Sequence, residues 1–207
     1  MKYKEGDEAR FWIHGETTDK LILFATNGRF YTIQCDKISR GRGYGEPLRL
    51  FVDLPNDEEI LSIFINVPNS KILVVSEDGR GFVVLEENVV AQTKNGKQIL
   101  NLKKEIKAAV CTPAEGDHIA LIGSNRKLII FPISEIPELP RGRGVTLQRY
   151  REGKVSDAIC FFKNEGLHWH SGNRVHNQTE ILDWLGKRGN AGRIAPRGFP
   201  RNNRFTL

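Results

Sequence analysis

The chain has 207 residues, 39% of them hydrophobic, with three Trp and eleven Phe, enough to bury a core in one or two domains. No apolar run approaches the roughly 18–20 residues of a membrane helix, the charged opening MKYKEGDEAR is not expected to be a secretory signal, and three cysteines without a CxxC pair fit a reducing cytosol better than a disulfide scaffold. The net charge of +6 is polarised: residues 187–207 hold Lys187, Arg188, Arg193, Arg197, Arg201 and Arg204 with no acid, which leaves 25 basic against 25 acidic residues elsewhere.

Such polarity points to a polyanionic partner, or else to a solubilising tail. The first predicted hairpin is LILFATNGRFYTI, turning at Asn27-Gly28; the Gly-plus-base loop RGRGYG (40–45) and a strand-like EEILSIF (58–64) follow it. The second, KILVVSEDGRGFVVL, turns at Asp78-Gly79 and leads into TKNGKQ (93–98) and KEIKAAVC (104–111). The third, IALIGSNRKLIIF, turns at Ser124-Asn125 and leads into RGRGV (141–145) and GKVSDAICF (153–161). A weaker fourth, LHWHSGNRVH, turns at Gly172-Asn173. After it, TEILDWLGKRG (179–189) reads as a short helix capped by Thr179 or as a degenerate strand, and KRGNAGR (187–193) repeats the basic loop. A base follows every turn: Arg29, Arg80, Arg126 and Arg174.

Gly28, Gly79, Asn125 and Asn173 are 51, 46 and 48 residues apart. A period near 48 with about four strands per unit predicts an all-β, propeller-like domain of four to five blades spanning 1–207. Its units run over about 19–65, 71–111, 117–161 and 165–195, with a basic tail at 187–207. In that phase Ile60, Ile106 and Val155 hold equivalent places, and Cys111 coincides with Cys160, as small core residues. The opening MKYKEGDEARFWIHGETTD reads as the closing half of a blade. The chain is then cut from something longer, or its ends complete one another's blade.

Enzyme signatures are missing: no GxSxG, P-loop, HExxH or CxxC occurs, and GRGYG and GRGV do not match GxGxxG. With a two-residue turn at Gly172-Asn173, Trp169 opposes His176 and His168 opposes Asn177. His176 then projects away from His168 and His170, so no third imidazole completes a metal site. Asp57-Glu58-Glu59 and Glu86-Glu87 read as solvated turns. No cofactor or catalytic group is expected in this chain. What remains is the loop chemistry: Gly admits a phosphate close to the backbone and Arg grips its oxygens in bidentate fashion. The expected contacts are Arg40, Arg42, Lys94, Lys97, Arg141, Arg143, Lys187, Arg188 and Arg193, with Arg29, Arg80 and Arg126 at the hairpin tips as weaker ones. The competing reading is that these glycines only serve tight turns. Equivalent loops of successive blades fall on one rim, where stiff duplex DNA must bend or touch only part of the arc.

The stretches DKLILFATNGRFYTI, SEDGRGFVV, VVAQTKNGKQILNL, LPRGRGVTLQRY and APRGFPRNNRF resemble the C-terminal domain of bacterial type IIA topoisomerase A subunits over nearly the whole chain. The resemblance implies a β-pinwheel, in which neighbouring blades exchange strands, and double-stranded DNA bound round a basic perimeter. It also implies protein partners, namely a B subunit together with the remainder of the A subunit, no membrane, and a bacterial cytoplasmic setting at the nucleoid. The family's cleaving Tyr lies in another domain, so Tyr3, Tyr31, Tyr44 and Tyr150 are not candidates; Tyr31 reads as a strand residue and Tyr44 as a loop residue near DNA. Gyrase A carries a basic box, Q-R-R-G-G-K-G. The nearest match here, QTKNGKQ (92–98), keeps Gln92, Gly96 and Lys97, and Lys94 keeps a base. That degenerate box and the RGFPRNNRF ending look like the topoisomerase IV branch, which bends DNA and supports decatenation and supercoil relaxation. Alternatives are a gyrase-type DNA-wrapping domain or a propeller used for protein contacts.

Overall fold

The computed structural model describes residues 9–38, 45–172 and 174–206; Arg40, Arg42 and Tyr44 lie outside them. Runs of β-branched and aromatic residues form hairpins wherever a residue able to take positive φ interrupts them. The first pairs β1 (Lys20–Ala25) with β2 (Arg29–Gln34), and its turn closes with the Gly28 N–H on the Ala25 carbonyl at 2.9 Å. In chain order there follow β3 (Ile60–Ile65), β4 (Lys71–Ser76), β5 (Arg80–Leu85), β6 (Lys97–Gln98) and β7 (Ala108–Pro113). The second half holds β8 (His118–Gly123), β9 (Lys127–Pro132), β10 (Val145–Thr146), β11 (Val155–Phe161), β12 (Leu167–Ser171), β13 (Arg174–Gln178) and β14 (Arg193–Ile194).

The strands assemble into three four-stranded antiparallel sheets, ordered β3-β1-β2-β6, β10-β5-β4-β7 and β11-β8-β9-β14, and a two-stranded sheet of β12 and β13. Each four-stranded blade takes three strands from its own repeat unit. Its fourth, β6, β10 or β14, comes from the unit after it in sequence, so neighbouring blades exchange strands, as in a β-pinwheel. The inner strands β3, β7 and β11 pack side by side, and the exchanged strands are outermost.

Both faces of the central strands are covered, which is why they read as nearly unbroken apolar runs. Ile22, Phe24 and Phe30 face Ile72, Val74, Phe82 and Val84 of the second blade. Leu73, Val75 and Val83 face Ile119, Leu121, Ile129 and Phe131 of the third. Ala120, Ile122, Leu128 and Ile130 meet Leu167 and Trp169 of the fourth, together with Phe199 and Phe205 from the C-terminal segment. That segment stands in for a strand: the His170 N–H bonds the Phe205 carbonyl at 2.8 Å.

Three sequence expectations are corrected. The 179–189 stretch is no α-helix; it makes one 3-10 turn at Leu182–Trp184, tied by the Trp184 indole N–H to the Ile194 carbonyl at 2.8 Å. Ile106 is not equivalent to Ile60 and Val155. A turn with Glu105 at φ +67 delays β7 to Ala108, which opposes Ser76 as Ile60 opposes Ala25 and Val155 opposes Gly123. Cys111 opposes Val74 while Cys160 opposes Ile119, so the two are displaced by a pair of residues along equivalent strands. Both are partly covered free thiols, and burial pushes the Cys160 thiol up to about 12.

Candidate nucleic-acid interface

The basic loops lead directly into the exchanged strands, and this connection fixes their geometry. In the second unit Thr93 and Gly96 close a turn, and Lys97 and Gln98 then pair with Phe30 and Arg29. In the third, Val145 and Thr146 pair with Gly81 and Arg80; in the fourth, Arg193 and Ile194 pair with Leu128 and Lys127. The three glycines just before these pairs, Gly96, Gly144 and Gly192, lie at φ +70, +69 and +80. A Cβ there would overlap the carbonyls of Phe30, Gly81 and Leu128. These glycines therefore bring one blade's loop against its neighbour's backbone.

The loops are also linked to one another. The Gly142 N–H bonds the Ile99 carbonyl at 2.9 Å, and its carbonyl takes the Asn101 N–H at 2.7 Å. Farther on, the Gly189 N–H bonds the Leu147 carbonyl at 2.7 Å and the Arg149 N–H bonds that of Asn190 at 3.3 Å. Segments 93–101, 141–149 and 187–195 thus form a continuous belt on the outer edges of the blades.

The belt presents Lys94, Lys97, Arg141, Lys187 and Arg193 to solvent. Their internal ties are slight: Lys94 Nζ reaches the Leu50 carbonyl at 3.0 Å, Lys97 Nζ that of Asn88 at 2.6 Å, and Arg193 approaches Asp183 at 3.9 Å. Arg143 and Arg188 are more committed. Arg143 pairs with Asp78 at 3.3 Å, and Arg188 donates to the Thr146 carbonyl at 2.8 Å while its backbone N–H meets Glu135.

The bases after the turns have a different position. Arg29 donates to the carbonyls of Asn95 and Gly96 at 3.0 and 3.5 Å. Arg80 donates to the Gly144 carbonyl at 2.8 Å and the Thr146 hydroxyl at 3.2 Å. Arg126 reaches the carbonyls of Pro200 and Phe199 and the Asn203 side chain at 3.0–3.1 Å. Each is half-buried; Arg29 and Arg80 clasp the segment that crosses their own blade, and Arg126 clasps the C-terminal segment beyond it.

One cluster escaped the sequence reading. Arg149, Arg151 and Lys127, with Asn125, Glu152, Gly189, Asn190 and Ala191, line an open groove of about 560 Å³ beside the belt. The run QRYREGK directly after the second RGRG carried that signal. On the fourth blade, Trp169 opposes His176 and His168 opposes Asn177, and the His176 ring stacks on Trp169 with centroids 5.5 Å apart, away from the face of His168 and His170. Among the described residues no group of three or more His, Cys, Asp or Glu is placed to hold a metal ion.

Known proteins resemble this arrangement. Residues 19–66, 70–105 and 117–159 match the sequence model of the family described as DNA gyrase C-terminal domain, beta-propeller. The chain is 45% identical over 206 residues to the A subunit of DNA topoisomerase 4 from Rickettsia bellii, with 100% of this chain and 28% of the relative covered. It is 43% identical over 206 residues to the protein of the same name from Caulobacter vibrioides, covering 99% of the chain and 27% of the relative. The chain thus spans little more than a quarter of these relatives' length. Among solved structures, the E. coli ParC C-terminal domain superposes with a TM-score of 0.83 at 24% identity, over 97% of this chain and 86% of that one. A DNA gyrase A C-terminal domain superposes with a TM-score of 0.63 at 15% identity, over 86% and 60%.

Proposed function

The chain belongs to the DNA gyrase C-terminal domain family of β-propellers, and from that premise we propose that it binds double-stranded DNA along the belt and bends it. The observation that carries this reading is the recurrence of exposed bases on the outermost strand position of three successive blades. Lys94 and Lys97, Arg141, and Lys187 and Arg193 occupy corresponding loops, so they follow one edge rather than scatter. Point charges along an edge meet phosphates without reading bases, giving affinity and register with strong salt dependence. Arg40 and Arg42 extend the set by sequence phase, and Arg149, Arg151 and Lys127 widen it.

The bound segment would be held beside the catalytic core of a type IIA topoisomerase of the topoisomerase IV kind, in the bacterial cytoplasm at the nucleoid. The other domains of the A subunit, with the B subunit, would supply cleavage and ATP hydrolysis, and this domain would guide strand passage in decatenation and relaxation. Because Thr93, Asn95 and Gln98 break the basic box, tight gyrase-type wrapping is not expected.

The test is fluorescence anisotropy with a duplex of arbitrary sequence at rising salt. The wild-type chain should bind at low salt and weaken steeply. The triple variant Lys94→Glu, Lys97→Glu, Arg141→Glu should bind more weakly on any sequence, with a salt slope shallower by about one for each phosphate no longer neutralised. Its unfolding midpoint should barely move, since exposed substitutions usually stay within about 0.5 kcal/mol. Absence of binding at low salt would sink the proposal. ATP-dependent negative supercoiling by the full enzyme would instead favour the wrapping alternative.

A further inference from the structure

The three joints between blades share one construction. A two-residue strand pairs with the outer edge of a hairpin, placing Gln98 opposite Arg29, Thr146 opposite Arg80 and Ile194 opposite Lys127. A glycine two residues earlier abuts the receiving backbone, as described for Gly96, Gly144 and Gly192. On the receiving hairpins of the first two blades the turn glycine is covered in return: a Cβ on Gly28 or Gly79 would overlap the Leu100 or Gln148 carbonyl.

Both halves of a fourth such joint are present, and neither is covered among the described residues. Gly45 precedes Gly96 by 51 residues, the same interval that separates Gly28 from Gly79. Gly45 lies at φ +81, like its three counterparts, yet a Cβ there would meet nothing within 4 Å among the described residues. Glu46 and Pro47 after it are exposed, and Pro47 is extended at φ −59, ψ 132 before Leu48 turns back into the first blade. At the far end of the chain, β13 pairs only with β12 among the described residues, and Arg174 and Val175 on it are exposed.

Hydrogen-bond direction makes the two halves complementary. His170 sends its N–H away from β13, to Phe205, so in the pair His170–Val175 the polar groups of Val175 point to the open edge. Val175 is 60% exposed. The registers of the filled joints then put Glu46 opposite Val175 and Pro47 opposite Arg174. A proline fits there. In the filled joints the next residue donates inward (Ile99 to Gly28, Leu147 to Gly79, Ala195 to Arg126), so the preceding N–H faces away and its loss removes no ladder bond. Charge agrees as well. Glu46 stands where the other exchanged strands carry Lys97, Val145 and Arg193, and β13 offers Arg174 and His176.

We propose that the Gly45–Pro47 strand of one molecule adds to the outer edge of β13 in a second copy, joining discs head to tail. Among the described residues nothing lies within 4 Å of a Cβ on Gly45, and the outer edge of β13 has no strand partner. The contact is heterologous and so can repeat along a row of copies. It is small, two ladder residues long, and the association is accordingly weak and concentration-dependent.

Cysteine pairing tests this. Singly substituted Pro47→Cys and Arg174→Cys chains are mixed and oxidised with diamide, and disulfides are located by peptide mass mapping. A mixed 47–174 dimer is expected on mixing, well above either protein's self-linked product, because that pair faces across a narrow register position. Adding Val175→Pro to the Arg174→Cys chain removes an edge donor and should abolish the mixed dimer. No mixed dimer, or one insensitive to Val175→Pro, overturns the proposal. So does a doubly substituted chain that bridges 47 to 174 within itself and stays monomeric. No rim lysine or arginine proposed to contact DNA is altered, so DNA affinity is read independently.

Discussion

The guanidinium groups of Arg29, Arg80 and Arg126 show how little a residue type says about its ligand. Each follows a hairpin turn and suits a phosphate, yet each grips backbone carbonyls, Arg29 and Arg80 those of the segment crossing their blade and Arg126 those of the C-terminal segment. The same donor geometry serves both acceptors, so sequence phase locates these residues without separating the roles. Arg80→Ala should therefore destabilise the fold by about 2 kcal/mol, the range for hydrogen bonds to a charged group, whereas Arg141→Ala should leave stability nearly unchanged; urea unfolding of the two variants decides it. Asp157 offers a pH test. Its carboxylate accepts N–H groups from Ala158 and Phe205 with Arg204 nearby, but burial outweighs these and holds its pKa above the usual Asp value. The folded chain thus binds this proton more readily than the unfolded chain does. The contribution is full below the unfolded pKa and is lost as pH rises through the folded one. Wild type should gain stability relative to Asp157→Asn as the pH is lowered from neutral toward the carboxylate range, and a gain in the opposite direction would contradict the placement of Asp157.

Among the elements, the hairpins were legible because each is two strands of five or six residues, rich in β-branched and aromatic side chains, around a turn able to take positive φ. The exchanged strands β6, β10 and β14 are two residues long, too short for any periodicity, and only the glycine before each marks them. In the sequence those glycines suit phosphate cradles or tight turns; the structure gives them a close approach to the neighbouring blade's backbone. That role is testable by contrast. Gly144→Ala forces a side chain onto the Gly81 carbonyl at φ +69, while Gly45→Ala meets none of the described residues within 4 Å at φ +81. Both variants carry the left-handed strain of about 1–2 kcal/mol, but only Gly144→Ala must also displace a strand, so its thermal midpoint should fall clearly further. Strand starts were less legible than strand existence. One turn at Glu105 shifts β7, and a β-bulge accompanies each inner strand, so counting letters between units misplaced Ile106 and the Cys111–Cys160 correspondence.

For the molecule as a whole, the charge polarity of residues 187–207 was read as a feature of one end, and the structure divides it. Arg193 and Lys187 join the belt, while Phe199 and Phe205 enter the core between the third and fourth blades, packed edge-on at 5.2 Å with Phe199 also 5.4 Å from Trp169. Basic and apolar residues alternate there, and composition alone concealed the apolar half. Phe205→Ala should cost about 3–5 kcal/mol, as for other buried aromatic truncations, and expose Trp169 to quenching by acrylamide. The order of the joints reaches further, into synthesis. Every complete blade receives its outer strand from the unit after it, so the repeat written in the sequence and the sheet built from it are out of step by one loop. As the ribosome extends the chain from its N-terminus, no blade can close until part of the next has emerged. The nascent protein therefore carries an unfinished edge as each of these units emerges, passed forward from one blade to the next.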